Sequence, residues 1–395
     1  MLTLRKLPSF SVSHGRAFSY APAGWMPPLP EAPRTTNSGL PYDAVVIGAG
    51  FGGLATALRL QAEGMRTCVL EAHFNVGGQS SFWETSGGPQ GKFSFDVGAT
   101  TLVDFTPGGV GGEFLEAVGF RSKTYVDADA GHKRVRWRTD CSSAGFTMTV
   151  QPGYSFTNIS GDATANTGGA QDHQHVRLWH DDTAWHRERA AKFGTSPEVM
   201  SYFELTDRIE SVYWPAARRG VRLPVSSFTD MIALAQAFRT RDWATARYLW
   251  WSMHDALDSC GVHKHGPHGH QLLHGMLRCL AEDTVHSVSL KDAPLVNAVM
   301  GAGIRGVGIA RADGGMQSVM RALVQRYTTL GGELWWRTKA VAVEGMSVET
   351  GFRVQARSHP RAGDRREHSF STRRIVSNLG PELTQHLMPH HPVAK

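Results

Sequence analysis

The sequence predicts an α/β fold: a Rossmann-like βαβ unit with a parallel sheet, interrupted by an inserted α+β domain. Three observations carry this prediction. An apolar strand runs directly into a glycine-rich turn in YDAVVIGAGFGG, from Tyr42 to Gly53. An acidic residue, Glu71, closes the next apolar run, Val69-Leu70. A second helix-and-strand pattern appears only after residue 311, with a long stretch of different character between.

Ala44-Val45-Val46-Ile47 is a continuous apolar, β-branched run of the kind that a parallel strand buried on both faces requires. In the turn that follows, Gly48 permits the sharp reversal, Gly50 lets backbone N–H groups approach a pyrophosphate, and Gly53 lets the helix lie close on the strand. The helix N-terminus then faces the phosphate charge. Leu54, Ala57 and Leu58 form one apolar stripe, and Glu63-Gly64 supplies the stop. Glu71 lies 18 residues after Gly53, at the tip of the second strand. A carboxylate there accepts hydrogen bonds from both hydroxyls of an adenosine ribose, so a free 2′-hydroxyl is expected, and FAD or NAD fits better than NADP.

Farther on, Gly112 to Val118 reads as a helix that ends the first nucleotide-binding segment. Val135-Arg136-Trp137-Arg138 alternates like a strand, and the Gly/Thr/Asn-rich stretch from Asn158 to Gly169 reads as loop. Helical character dominates from Asp181 to Asp283. After Ala312, the residues Met316, Met320, Leu323, Tyr327 and Leu330 share one helix face, and Gly331-Gly332 stops it. Leu334 to Val343, Phe352 to Ala356 and Arg374 to Asn378 read as strands. The expected organisation is a tail over 1–40, a nucleotide-binding segment over 41–120, a substrate or cap domain over 121–310, and the second nucleotide-binding segment over 311–395.

At 395 residues with 41% hydrophobic content, the chain can bury a large core and is not a disordered protein. The excess of 41 Lys and Arg over 35 Asp and Glu, net +6, is spread along the chain. It serves solubility, and it is compatible with peripheral attraction to anionic lipid. No motif points to nucleic acid. Cys68, Cys141, Cys260 and Cys279 are widely spaced, which argues against a zinc ribbon or a disulfide scaffold. The longest apolar candidate, Leu295 to Ala310, is broken by Asn297 and Arg305 and is too short to span a bilayer. The first thirty residues hold no Asp or Glu, carry Arg5, Lys6 and Arg16, and are rich in serine. They read either as an organelle transit peptide, plastid before mitochondrion in a eukaryote, or as a tail of a cytoplasmic protein.

Two further glycine motifs follow Glu71. Ala72 begins a stretch that reaches Gly77-Gly78-Gln79-Ser80 six positions after the acidic residue, and Phe95-Asp96-Val97 leads into Gly98-Ala99-Thr100. Each alone could be an ordinary loop. In this order and spacing they resemble the FAD-dependent oxidoreductases of the amine oxidase and phytoene desaturase superfamily. The stretches FDVGATTLVDFTPGGVGGEFLEAVGF, LWHDDTAWHRERAAKFG and RGVGIARADGGMQSVMRALVQRYTTLGGELWWRTKAVAVEG narrow the resemblance. They are similar to the carotenoid desaturase and isomerase branch that includes retinol saturases, and within it to C-3′,4′ desaturase-like proteins.

The resemblance spans about Tyr42 to Pro381 and implies a set of cofactor contacts. Gly48, Ala49, Gly50, Phe51, Gly52 and Gly53 would hold the FAD pyrophosphate and Glu71 the ribose, with Ala72 beside it. Gly77, Gly78, Gln79 and Ser80 would continue the phosphate contact, Gly98, Ala99 and Thr100 would approach the flavin, and Val341 would touch the adenine through its backbone. Many relatives carry Arg or Lys where Gln79 stands, so a charge contact becomes a neutral hydrogen bond here. Relatives also continue well beyond the strand at Val376-Ser377-Asn378, so the chain resembles a truncated member.

No residue stands out as a catalytic acid, base or nucleophile. In such enzymes the hydride chemistry belongs to the flavin, and the protein supplies position and a dry cavity. The resemblance implies a hydrophobic polyene substrate, desaturated, isomerised or saturated. A non-catalytic flavin- or lipid-binding relative and an amine oxidase-like enzyme are the alternatives. The run Ala298 to Ala310 and the aromatic Tyr248 to Trp251 suit either a hydrophobic tunnel or plain core. His263, His265, His268, His270 and His274 lie among glycines that mark a flexible loop, without cysteine or carboxylate to complete a ligand set. Like His173, His175 and His180, they are not expected to bind metal.

Overall fold

The run Ala44–Ile47 forms strand β1 and Thr67–Leu70 forms β2, both buried along their whole length. Each is covered on two faces, which is why neither shows the alternation of a one-faced strand. Between them Phe51–Ala62 forms helix α1, and its buried side is Gly53, Leu54, Ala57 and Leu58. Glu63 ends the helix, and Gly64 turns the chain back at φ 85°.

This computed structural model describes residues 42–86, 92–128, 131–140, 144–156, 175–218, 227–238, 240–287, 289–347, 351–361 and 364–389. The N-terminal stretch, the Asn158 to Gly169 loop, Cys141 and His173 lie outside them. Within the described residues, β1 and β2 form the centre of a four-stranded sheet in the order Glu333–Trp335, β2, β1, Ile375–Ser377. All three pairings are parallel. The outer strands therefore come from far down the chain.

Helix Met316–Thr329 leads into the outer strand and buries Met316, Met320, Leu323 and Tyr327. Leu330, the last residue of the expected stripe, caps the helix and is half-buried. One expectation fails here. Leu334 to Val343 is not a single strand: Glu333–Trp335 belongs to the parallel sheet, and Thr338–Ser347 starts a three-stranded antiparallel sheet with Gly351–Arg361 and Asp364–Thr372. The break is at Arg337, held at φ 53°. Two backbone bonds hold it, Arg337 N–H to His73 O at 2.9 Å and Thr338 N–H to Glu71 O at 2.7 Å.

A five-stranded antiparallel sheet runs in the order Leu102–Val103, Ile309–Ala312, Gly145–Val150, Lys133–Thr139, Phe120–Val126. The alternation around Trp137 appears as expected, with Val135 and Trp137 fully buried and Arg138 exposed. Trp137 packs in the same core cluster as Leu54, Leu58 and Leu323, so this sheet and the parallel sheet share one interior. Its indole N–H donates to the Phe105 carbonyl at 3.2 Å. The helices Asp182–Phe193, Pro197–Arg218, Met253–Ser259, His268–Val285 and Leu295–Val307 bury a second core of their own.

The apolar run Leu295 to Ala310 divides at Gly308, φ 97°, into helix Leu295–Val307 and the strand Ile309–Ala312. Its small residues serve close helix packing. A Cβ on Gly301 would lie 2.5 Å from the Thr284 side chain, and one on Gly303 would lie 2.3 Å from Trp214 Nε1. Among the described residues no helix is long and apolar enough to cross a membrane.

The loop reading of the histidine run matches only its first part, residues 261–267, which form turns ahead of a helix. A helix begins at His268, directly after Pro267, and places His270 and His274 in its buried side. The Nε2–H of His274 donates to the Val262 carbonyl at 3.1 Å. His180 Nδ1 lies 2.7 Å from the Arg305 carbonyl oxygen. Among the described residues no three side chains of metal-binding type converge.

Two predictions follow from this packing. Trp137→Ala removes a fully buried indole and its hydrogen bond; the expected loss is about 3–5 kcal/mol in denaturant unfolding. Burial depresses the pKa of His274, so the unfolded chain takes up the proton first as pH falls below the ordinary histidine value near 6.5. Stability is therefore lost across the window between that value and the lower folded one. His274→Gln should show a shallower acid loss than the wild type in matched denaturation curves.

Candidate functional site

Gly48 carries β1 into the turn at φ 96°, a conformation that L side chains rarely adopt. Helix α1 then packs so close that a Cβ on Gly53 would lie 2.1 Å from the Gly48 carbonyl oxygen. Only hydrogen fits there. The helix has no side-chain N-cap and no acidic residue in its first turn. Its leading N–H groups are left to solvent or to an anion, and the helix dipole favours the anion.

The second glycine pair lies against the same turn. Gly77 and Gly78 stand at φ 114° and 54°. Gly77 N–H donates to Ala49 O at 2.8 Å, and a Cβ on Gly78 would lie 3.3 Å from Gly50 Cα. Ser80 is buried, its N–H donating to Gly77 O at 2.8 Å, while Gly78 and Gln79 are exposed. The third segment joins at Gln79: Ala99 N–H donates to Gln79 O at 3.0 Å, and a Cβ on Gly98 would lie 2.7 Å from that oxygen. Gly98, Ala99 and Thr100 remain exposed beside it. Phe51 is half-buried, edge-on to the Phe105 ring at 5.8 Å, and Gly52 is exposed.

Glu71 leaves the end of β2 half-buried. Its Oε2 accepts from Ala49 N–H at 2.7 Å and its Oε1 from His73 N–H at 2.8 Å. An ionised carboxylate oxygen accepts about two hydrogen bonds, so each oxygen keeps a position for a ribose hydroxyl. Ala72 is exposed next to it. Val341 falls where the register of its strand shifts between Ala340 and Ala342, and it is 39% exposed. A bulge residue is left out of the ladder, so its backbone is free to meet a ligand. The bond from Thr338 N–H to Glu71 O ties this strand to the Glu71 end.

The structure thus brings the three glycine segments and Glu71 together, with Val341 on a strand anchored to Glu71. Their fit to a dinucleotide rests on the bare turn itself: a side chain at Gly50 would meet the Asn378 carboxamide, one at Gly78 the Gly50 backbone, and one at Gly53 the Gly48 carbonyl. Two contributors escape local sequence reading. Asp96 Oδ1 accepts from Met316 N–H at 2.9 Å and so caps a helix whose own N-cap, Gly315, offers no side chain. Asn378 follows the strand Ile375–Ser377, and its carboxamide lies over Gly50 and Gly52. The only available signal is the Val376-Ser377-Asn378 strand end, which no spacing rule connects to Gly50.

Residues 46–118 match the NAD(P)-binding Rossmann-like domain, the class that the fold and the turn define. The chain is 38% identical over 94 residues to prolycopene isomerase 2, chloroplastic, of an Oncidium hybrid cultivar, covering 23% of this chain and 15% of that one. It is 50% identical over 62 residues to the lycopene-forming phytoene desaturase of Pseudescherichia vulneris, covering 16% and 12%. These relatives bear the names of the desaturase and isomerase branch that the motifs resemble, and the matches span 15% or less of their length. An oxidoreductase from Methanosarcina mazei superposes at a TM-score of 0.50 with 16% identity over 87% of this chain and 60% of that one, a likeness of fold alone.

Glu71→Ala removes the acceptor for both ribose hydroxyls. Adenosine diphosphate affinity, measured by titration calorimetry, should fall roughly tenfold or more. An unchanged affinity contradicts the ribose role.

Proposed function

We propose that the protein is an FAD-dependent oxidoreductase that acts on a lipophilic polyene of carotenoid or retinoid type, by desaturation, isomerisation or saturation. The observation that carries this reading is the meeting of three glycine segments around the N-terminus of α1, with Glu71 at the ribose end. The second glycine pair and the Asp96 turn, in the order and spacing of the flavoenzymes that the sequence resembles, support FAD over NAD. The names of the matching relatives support the polyene.

Residue roles follow from chemistry. The leading N–H groups of α1 face the pyrophosphate, Glu71 accepts from the ribose, and Gly98 to Thr100 stand on the flavin side. When bound, the flavin supplies the hydride transfer. The chain's remaining task is to hold the hydrocarbon in a dry place. The helical layer offers an open, mostly apolar pocket of about 400 Å³ lined by Tyr213, Trp214, Val296, Met300 and Ile304, with Thr284 and Asn297 among them, large enough for part of a polyene that would itself cover the pocket from water. No acid, base or nucleophile is assigned; desaturation releases a proton along with the hydride and saturation takes one up, so water or a side chain beside the polyene has to exchange that proton.

The test is spectroscopic. The purified chain is loaded with FAD, and its absorption bands are followed anaerobically as a carotenoid in liposomes or a diamine is added. Bound FAD whose redox state changes with the polyene is the expected result. A protein that takes up no FAD overturns the cofactor assignment, and reduction by the diamine alone overturns the polyene.

A further inference from the structure

We infer that Asn378 is a positioning residue of the dinucleotide site, donating from its carboxamide to the pyrophosphate; this rests on the dinucleotide reading above. The strand Ile375–Ser377 pairs in parallel with β1, and Asn378 N–H donates to Ile47 O at 2.9 Å. That bond fixes Asn378 at the same edge of the sheet as Gly48. Its side chain then lies across the glycine-rich turn. Nδ2 is 2.7 Å from the position that a Cβ on Gly50 would take, and Oδ1 is 2.9 Å from the corresponding position on Gly52. The Asn378 Cβ itself is 2.9 Å from the Gly53 position.

The space above Gly50 is the space that the motif keeps open so that backbone can approach a pyrophosphate. Asn378 already reaches into it from the end of the strand that pairs with β1. Its carboxamide has no hydrogen-bond partner among the described residues, and the residue is exposed. A primary amide carries two donor hydrogens and no charge. Nδ2 therefore offers the pyrophosphate a donor beside the N–H groups of α1, in a site where Gln79 supplies no cation.

Plain packing is the competing explanation, and charge separates the two. Asn378→Asp keeps the volume but replaces the donor with an anion. An anion beside the N-terminus of α1 stabilises the ligand-free protein or leaves it unchanged. The same anion repels a pyrophosphate. A packing role predicts no such opposition.

The experiment titrates the full chain with adenosine diphosphate and with adenosine by calorimetry, alongside a melting curve without ligand. For Asn378→Asp the expected result is an affinity for the diphosphate lowered roughly tenfold or more, an adenosine affinity unchanged, and a melting temperature equal to or above wild type. Asn378→Ala should show a smaller loss confined to the diphosphate. Equal losses on both ligands, or no loss on either, overturn the inference. A wild type that binds the diphosphate but not FAD overturns the FAD reading alone, since Asn378 is still measured on the diphosphate. A wild type that binds neither overturns both.

Discussion

The approach of Gly53 to the carbonyl of Gly48 sets the rest of the site. With 2.1 Å available to a Cβ, no side chain can stand between α1 and the end of β1. The helix is therefore forced to start directly above the strand, with its leading N–H groups aimed out of the sheet edge. Glu71 reinforces the geometry from β2 by accepting Ala49 N–H, and Gly77 does so from below by donating to Ala49 O. Ala49 is fixed by both, which leaves the turn little freedom to relax when an anion arrives.

The cradle is also a long-range construction. Its sheet is completed by Glu333–Trp335 on one side and Ile375–Ser377 on the other. Asp96, on the strand leading into Gly98, caps the helix Met316–Thr329 across 220 residues of sequence. The nucleotide-binding face thus cannot be complete until the distant segments have packed, and the antiparallel sheet around Trp137 shares that same core.

What could be read from the sequence was what depends on neighbours in sequence. The strand Ala44–Ile47, the stripe Leu54, Ala57 and Leu58, and the helix from Met316 each obey a local period, and each forms as read. The break at Arg337 did not announce itself, because a left-handed arginine carries no glycine or proline signal and is held by bonds to Glu71 and His73. The histidine run misled for a related reason: its glycines suggested loop, while His270 and His274 are buried in a helix that starts at His268, against Ser196 and the Val262 carbonyl. Asn378 above Gly50 and Asp96 at Met316 are juxtapositions made only by the tertiary fold.

The central claim is that the first turn of α1 and the Gly77–Gly78 pair bind one dinucleotide. Amide hydrogen exchange with and without FAD tests it at residue level. The account predicts slowed exchange over residues 49–54 and 77–80 on addition of FAD, with the strand around Trp137 unchanged. FAD that binds while both glycine segments exchange at their ligand-free rates would contradict it.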